Sequence, residues 1–384
     1  MKKNFYPMVG IFISAFLLSC TPDMKTNQFN DNSEKTTSEI ATDYVKNLYI
    51  RSNVAAGRSI YSEEYPAIIF EESIEDKNGN RILFSEMTDE EKRIFFEIWE
   101  KSYISDLEKN FNENPDLAEM VAVENQALEL AIQDLNRSCE DGIIDSNGLE
   151  KKFFKNLKKQ TEKMNKQKAR SSSSGGDSIT ADCLVESSVN KLKANYKKGR
   201  VLVSTGTGSS GSSGIAYIGH ASMMYFDEWK EEWKNDGYSK IMITSSPKNT
   251  GSSWPGKVDG VQLEPIGYWA GNSSGSAKKV MIHNVGKSKW VWDWFESGNK
   301  FTNAPTSDYL KAVEKADKYM GCKYNWNYVN KWDMEEFYCS QLVWRAWERV
   351  SEDYNLSTDL LTWVTPSDLA NSKRSKQVAT YSNK

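Results

Sequence analysis

The sequence predicts an α+β protein, a mainly helical N-terminal region followed by an antiparallel sheet flanked by helices. Three observations carry this. From Ile40 to about Lys168 the apolar residues recur at helical spacing. A Ser/Gly run, Arg170 to Gly176, then breaks the pattern. Beyond it come short, apolar, β-rich segments bounded by Gly, Ser, Asn and Pro, before helical spacing returns at Ser307. Thirteen Trp and eighteen Tyr mark a globular chain, and a net charge of −4 gives no general reason to expect nucleic acid as partner.

Taken in order, the first element is an export signal. Lys2 and Lys3 precede an apolar run from Val9 to Leu18, closed by Leu17-Leu18-Ser19-Cys20. The run is too short for a comfortable membrane span. A cysteine directly after the small residue resembles a bacterial lipobox. That resemblance implies a lipid on Cys20, removal of residues 1–19, and anchoring in the bacterial cell envelope. Residues 20–40, mostly Thr, Asn, Asp, Ser and Lys, read as a tether.

The helical region, 41–168, follows. Ser62 to Phe84, with Asp76-Lys77-Asn78-Gly79-Asn80 between apolar runs, reads as a hairpin. Thr88-Asp89-Glu90-Glu91 is a capping box before Ile94, Phe95, Ile98, Trp99 and Leu107 at helical spacing. A second helix is expected from Pro115 to Leu135, and a third, lysine-rich and solvated, from Leu149 to Lys168. Residues 169–180 form the Ser/Gly linker. Strands are then expected over 200–204, 215–226, 240–244, 260–266 and 279–285. Helices are expected over 307–320 and from Cys339 to Val350, where Leu342, Val343, Ala346, Trp347 and Val350 mark one face. The loop Gly206 to Gly214 lacks the Gly-Lys-Ser/Thr ending of a phosphate loop and precedes a strand, so it reads as a loop beside a site.

Cys339 is the residue around which a site can be built. It opens the last helix, where unpaired N–H groups and the dipole favour a thiolate. Nucleophilic use needs a base, and the chain has two histidines, His220 and His283. His220 lies on an expected strand beside Gly219, which leaves room for close approach. His283, with no chemical partner in its motif, reads as structural. Two separated histidines and no cysteine cluster argue against zinc. Cys322 follows Gly321 in a turn and reads as a small apolar filler. Cys139 with Cys183 is one pairing that an exported setting allows. Trp326, Tyr328 and Trp332 read as core residues or as the lining of a cleft.

Four stretches together resemble the permuted papain-like hydrolases of the NlpC and YiiX type. They are Val201 to Ser204, Gly219-His220-Ala221, Tyr338-Cys339-Ser340-Gln341-Leu342-Val343-Trp344 and Thr365-Pro366-Ser367-Asp368-Leu369. Ala316 to Tyr328 resembles the helix and Gly-x-x-Tyr stretch that precedes the family's cysteine. The similarity covers residues 197–375 and none of the N-terminal half. It implies a circularly permuted papain-like domain over 181–384, with Cys339 as nucleophile and His220 as base and acid. It also implies a polar residue on the next strand to orient the imidazole. No carboxylate stands there, so Thr244 or Ser245 is expected in that role, with Glu264 on the following strand as the alternative. The Cys339 N–H, with Tyr338, is expected to meet the oxyanion. The implied activity is hydrolysis of amide bonds in cell-wall peptides, without a cofactor. Acyl hydrolysis or transfer on lipids and ligand binding without turnover are the other readings.

Overall fold

Capping boxes start the first two long helices. Thr36 precedes α1 (Thr37–Ala55) and Thr88 precedes α2 (Asp89–Glu113). In each, the threonine hydroxyl accepts the N–H three residues on, and that residue's Glu reaches back. α3 (Pro115–Cys139) begins on a proline, whose missing N–H costs nothing in a first turn. Between α1 and α2 the expected hairpin forms from β1 (Ser73–Glu75) and β2 (Arg81–Leu83), paired antiparallel. Its turn is held by Asp76 Oδ1, which accepts the N–H of Asn78 and of Asn80, each at 2.8 Å. The computed structural model describes residues 35–56, 58, 64–76, 78–139, 186–205, 219–234, 240–246, 258–265, 279–291, 298–326, 330–357, 361 and 363–382. The signal, most of the tether, the lysine-rich helix, the linker and the loop 206–214 lie outside the described residues, as do Cys20, Cys183, Tyr328 and the Cys139 side chain.

After α4 (Glu186–Asn195) come β3 (Val201–Thr205), β4 (His220–Met224), β5 (Lys240–Ser246), β6 (Gly260–Pro265), β7 (Lys279–Val291) and β8 (Gly298–Asn303). β11 (Ser375–Ser382) closes the chain. The sheet runs β2-β1-β7-β3-β4-β5-β6, with β8 and β11 also on β7; its pairs are antiparallel except β1 with β7. β7 changes partners at Gly286. Before it the neighbours are β3 and β11, and from it onward β8, with β1 alongside its last residues. A Cβ at Gly286 would lie 2.1 Å from the Thr302 carbonyl oxygen, so only glycine lets β8 come this close.

Alternation along these strands sorts the side chains into two cores. Val201, Val203, Ala221, Met223, Ile243, Val261 and Met281 enter the larger one; Leu202, Met224, Met242, Val280 and Ile282 enter the smaller, with Leu192 of α4 and Trp233. The larger core also takes Tyr44, Phe95, Trp99, Leu107, Phe111 and Val121 from the first three helices. The described helices of the helical region 41–168, α1 to α3, are therefore not set apart: they belong to one compact unit with the sheet-bearing half. The cause is the apolar faces of α1, α2 and α3, which find their cover on the sheet-bearing half.

The remaining elements frame the cysteine. α5 (Thr306–Asp317), the short parallel pair β9 (Lys323–Tyr324) and β10 (Glu336–Phe337), α6 (Cys339–Glu348) and α7 (Pro366–Asn371) follow β8. The one-faced helix expected at Cys339 is buried on every side from Cys339 to Trp347, because α6 lies between β4 and β5, α5 and α7. Burying its two tryptophans, Trp344 and Trp347, stabilises the fold by roughly 2–3 kcal/mol each. No described helix is long and apolar enough to cross a membrane.

Candidate active site

Cys339 is the first residue of α6, and its N–H has no acceptor within the helix. Its two neighbours are pinned from different sides. Tyr338 donates its N–H to Gln341 Oε1 at 3.1 Å, the returning arm of a capping box. Gln341 is itself fixed: Oε1 also accepts from Asn325, and Nε2 donates to the Lys331 and Asp333 carbonyls at 3.1 and 3.0 Å. Ser340 donates its hydroxyl to the Val364 carbonyl at 2.8 Å, and the Tyr338 hydroxyl accepts the Val364 N–H at 3.1 Å. The phenol expected at the oxyanion is thus engaged with the Val364 segment, and burial pushes its pKa far above the ordinary value.

His220 opens β4, paired with Ser204 of β3. Gly219 before it has φ +78°, and a Cβ there would lie 2.3 Å from the Ser204 carbonyl oxygen and 2.7 Å from Met120 Sδ on α3. The ladder between β4 and β5 covers only Met223 with Ile243 and Met224 with Met242. Beyond those pairs, around Ala221 and His220, side chains take over. Thr244 Oγ1 donates to the Ala221 carbonyl at 2.9 Å.

The imidazole and the Cys339 thiol are hydrogen-bonded, and the sulfur also accepts the N–H of Ala221 and of Ser340. Burial by itself would raise the thiol pKa. The His220 charge and hydrogen bond, with those two N–H groups, outweigh it and bring the thiol below its ordinary value. For the ring, 21 % exposed, burial opposes the charged form. Cys339 beside it and Glu264 behind it prevail and push it up to about 9. Both shifts favour the thiolate–imidazolium form of the pair over the thiol–imidazole form.

Three oxygens gather at His220 Nε2: Thr244 Oγ1 at 3.3 Å, Glu264 Oε2 at 3.4 Å and Ser246 Oγ at 3.4 Å. The Thr244 proton goes to the Ala221 carbonyl and the Ser246 proton to Glu264 Oε2 at 3.3 Å. All three thus turn a lone pair to the ring, which assigns a proton to Nε2. Of the expected orienters, Thr244 and Glu264 are brought together with His220. Ser245 is not: it points to the opposite face of β5 and donates to the Phe337 carbonyl at 2.5 Å, fixing β10 just before the cysteine. Ser246 was not singled out from the sequence, although its spacing of two from Thr244 puts it on the same strand face.

His283 lies fully buried on β7. Burial pushes it down to about 3, and Nδ1 faces the Ser375 hydroxyl at 2.9 Å. Cys322 is half-buried, its thiol raised by burial. Trp326 and Trp332 are 46 % and 40 % exposed, so they are not core residues. Among the described residues no three His, Cys, Asp or Glu side chains are placed to hold a metal ion. Comparison with protein-family models, with curated proteins and with solved structures returns no match for this chain.

Proposed function

We propose that the chain is a cysteine hydrolase of permuted papain-like architecture that cleaves amide bonds, with cell-wall peptides as the favoured substrate. The observation that carries this reading is the hydrogen-bonded Cys339–His220 pair, with its thiol lowered and its imidazole raised. The Cys339 thiolate attacks the carbonyl carbon, and the charge that builds on the oxygen meets the Cys339 N–H at the start of α6. As the tetrahedral adduct collapses, the imidazolium gives its proton to the leaving amine, which departs and leaves a thioester on Cys339. The now neutral imidazole takes a proton from water, the resulting hydroxide attacks the thioester, and the acid product leaves with the thiolate restored. Glu264, Thr244 and Ser246 hold Nε2, which leaves Nδ1 as the nitrogen that exchanges the proton.

The lipid on Cys20 and the envelope address belong to the same proposal, supported by the signal-like N-terminus. A lipid ester or acyl transfer uses the same two residues on a different carbonyl. Ligand binding without turnover is favoured by the near-complete burial of Cys339. The test compares wild type with Cys339→Ala and His220→Ala on digested cell wall and on a lipid panel, with products identified by mass. Each variant is expected to lose turnover by about 10³-fold or more while keeping its thermal melt. Retained turnover in either rejects the assignment, and binding of a fragment without product by wild type selects the non-catalytic reading.

A further inference from the structure

The described helices of the N-terminal half stand apart from the catalytic pair, yet four of their side chains reach the ground behind Cys339 and His220. Arg51 on α1 is 3 % exposed and grips Asp368 of α7 with two prongs, Nη1 to Oδ1 at 3.0 Å and Nη2 to Oδ2 at 2.7 Å. Tyr44, two turns earlier on α1, donates to the same Oδ1 at 3.0 Å, and the Trp363 ring lies 4.4 Å from the guanidinium. From α3, Glu124 accepts the Ser367 hydroxyl at 2.5 Å. One turn before it, Met120 packs on Gly219, the residue next to His220.

What α1 and α3 hold in this way is the segment on which the cysteine's neighbours hang. Asp368 Oδ2 accepts the Thr365 N–H at 2.9 Å, and Thr365 follows Val364. Val364 is bonded through its N–H to Tyr338 and through its carbonyl to Ser340, one residue on either side of Cys339. An unbroken path of buried groups thus runs from Arg51 through Asp368, Thr365 and Val364 to both flanks of the thiol. The thiolate depends on the simultaneous alignment of an imidazole on β4 and two N–H groups, from β4 and α6. Such alignment is lost when the supporting shell loosens by a fraction of an ångström.

We propose that Arg51 is a positioning residue for Cys339, so that the helical N-terminal region is part of the working site. The inference rests on the nucleophile–base reading of Cys339 and His220 given above. A forked guanidinium is needed because two oxygens must be held in one plane. Lysine keeps the charge opposite Asp368 but offers no fork, whereas Arg51→Met leaves a buried carboxylate unpaired.

The experiment alkylates the full chain with iodoacetamide from pH 5 to 10. It follows Cys339 by peptide mass, with Cys322 on the same chain as the reference thiol. In Arg51→Lys the thermal melt stays cooperative, and Cys339 alkylation at pH 6 falls about tenfold relative to Cys322, equivalent to one pKa unit of lost thiolate. The rate at pH 9.5 stays within about threefold, since the thiol is ionised there in either protein. Turnover falls in kcat more than in KM. A folded Arg51→Lys with an unchanged profile overturns the proposal, as does loss of the cooperative melt in both Arg51→Lys and Arg51→Met, which makes the pair structural only. Failure of the underlying reading has a different signature: His220→Ala then leaves the Cys339 profile unchanged, and the inference falls with it. If His220→Ala shifts the profile and Arg51→Lys does not, the inference alone is rejected.

Discussion

The two histidines meet opposite electrostatic conditions, and the difference lies in what faces each ring. His283 has burial and one hydroxyl, so its charged form is suppressed and its pKa falls to about 3. His220 is opposed by burial too, but Cys339 and Glu264 outweigh it, and the ring rises to about 9. Ring-proton NMR between pH 3 and 10 is expected to show one histidine titrating near 9 and the other neutral from pH 4 upward. Two titrations near 6.5 would refute the ion pair. The sign for stability follows. A raised His220 contributes fully below its ordinary value near 6.5 and loses that contribution as pH rises through about 9. A lowered Cys339 contributes above its ordinary range and loses it as pH falls through the folded value. Both are charged only between the two folded values, so kcat/KM should fall on either side of that window, with the alkaline limb near 9. Much of this was legible in the sequence, since a helix-start cysteine and a glycine-flanked strand histidine each announce themselves. Thr244 and Glu264 were legible as candidate orienters, but Ser245 was as plausible and Ser246 went unmarked, because successive small hydroxyl side chains look alike in the sequence. Only strand parity turns Thr244 and Ser246 to His220 and Ser245 to Phe337.

At the level of elements, strand pairing decides how far a side chain can reach. β4 leaves its ladder with β5 just before His220, and the opening lets Glu264, from the strand beyond β5, meet the ring. Glu264 is therefore only an alternative at the level of sequence: its place in space depends on the β5–β6 register, which periodicity does not reveal. The entry to β4 depends on Gly219. Alanine there would take a left-handed φ of +78° with its Cβ 2.3 Å from a carbonyl oxygen. Gly219→Ala is expected to cost about 1–3 kcal/mol in denaturant unfolding and to shift His220 away from Cys339, lowering thiol reactivity at pH 6. Adding Met120→Ala removes the 2.7 Å contact but leaves the Ser204 carbonyl in place, so it should recover little. Wild-type stability in Gly219→Ala would show that the turn has room the geometry denies. The same dependence on context explains α6. Its apolar residues read as a stripe, whereas neighbours on every side also bury Ser340, Gln341 and Arg345. Arg345 is accommodated by Glu348 at 3.0 Å and by the faces of Trp332 and Trp344.

Over the whole molecule, the texture change near residue 170 suggested two bodies, a helical one and a sheet-bearing one. Composition does report such a change, but it cannot report which apolar faces meet. Here Tyr44, Leu107, Phe111 and Val121 share one core with Met223, Ile243 and Trp344. The buried Arg51–Asp368 pair joins residues 317 apart in the chain, and no motif in either segment marks the other as its partner. The two halves are thus mutually dependent in a way that can be measured. A fragment of residues 181–384 would bare the sheet-side half of that core to water and strip Asp368 of its Arg51 and Tyr44 partners. The fragment is expected to lack a cooperative thermal melt and to show Cys339 alkylation no faster at pH 6 than that of an ordinary thiol. Residues 36–168 supplied in trans should restore both, since the lost contacts are non-covalent and the break falls between the two halves. A fragment that melts cooperatively at the full chain's temperature would mean the sheet-bearing half stands alone, leaving α1 and α3 as cover and not as part of the machinery that readies the thiol.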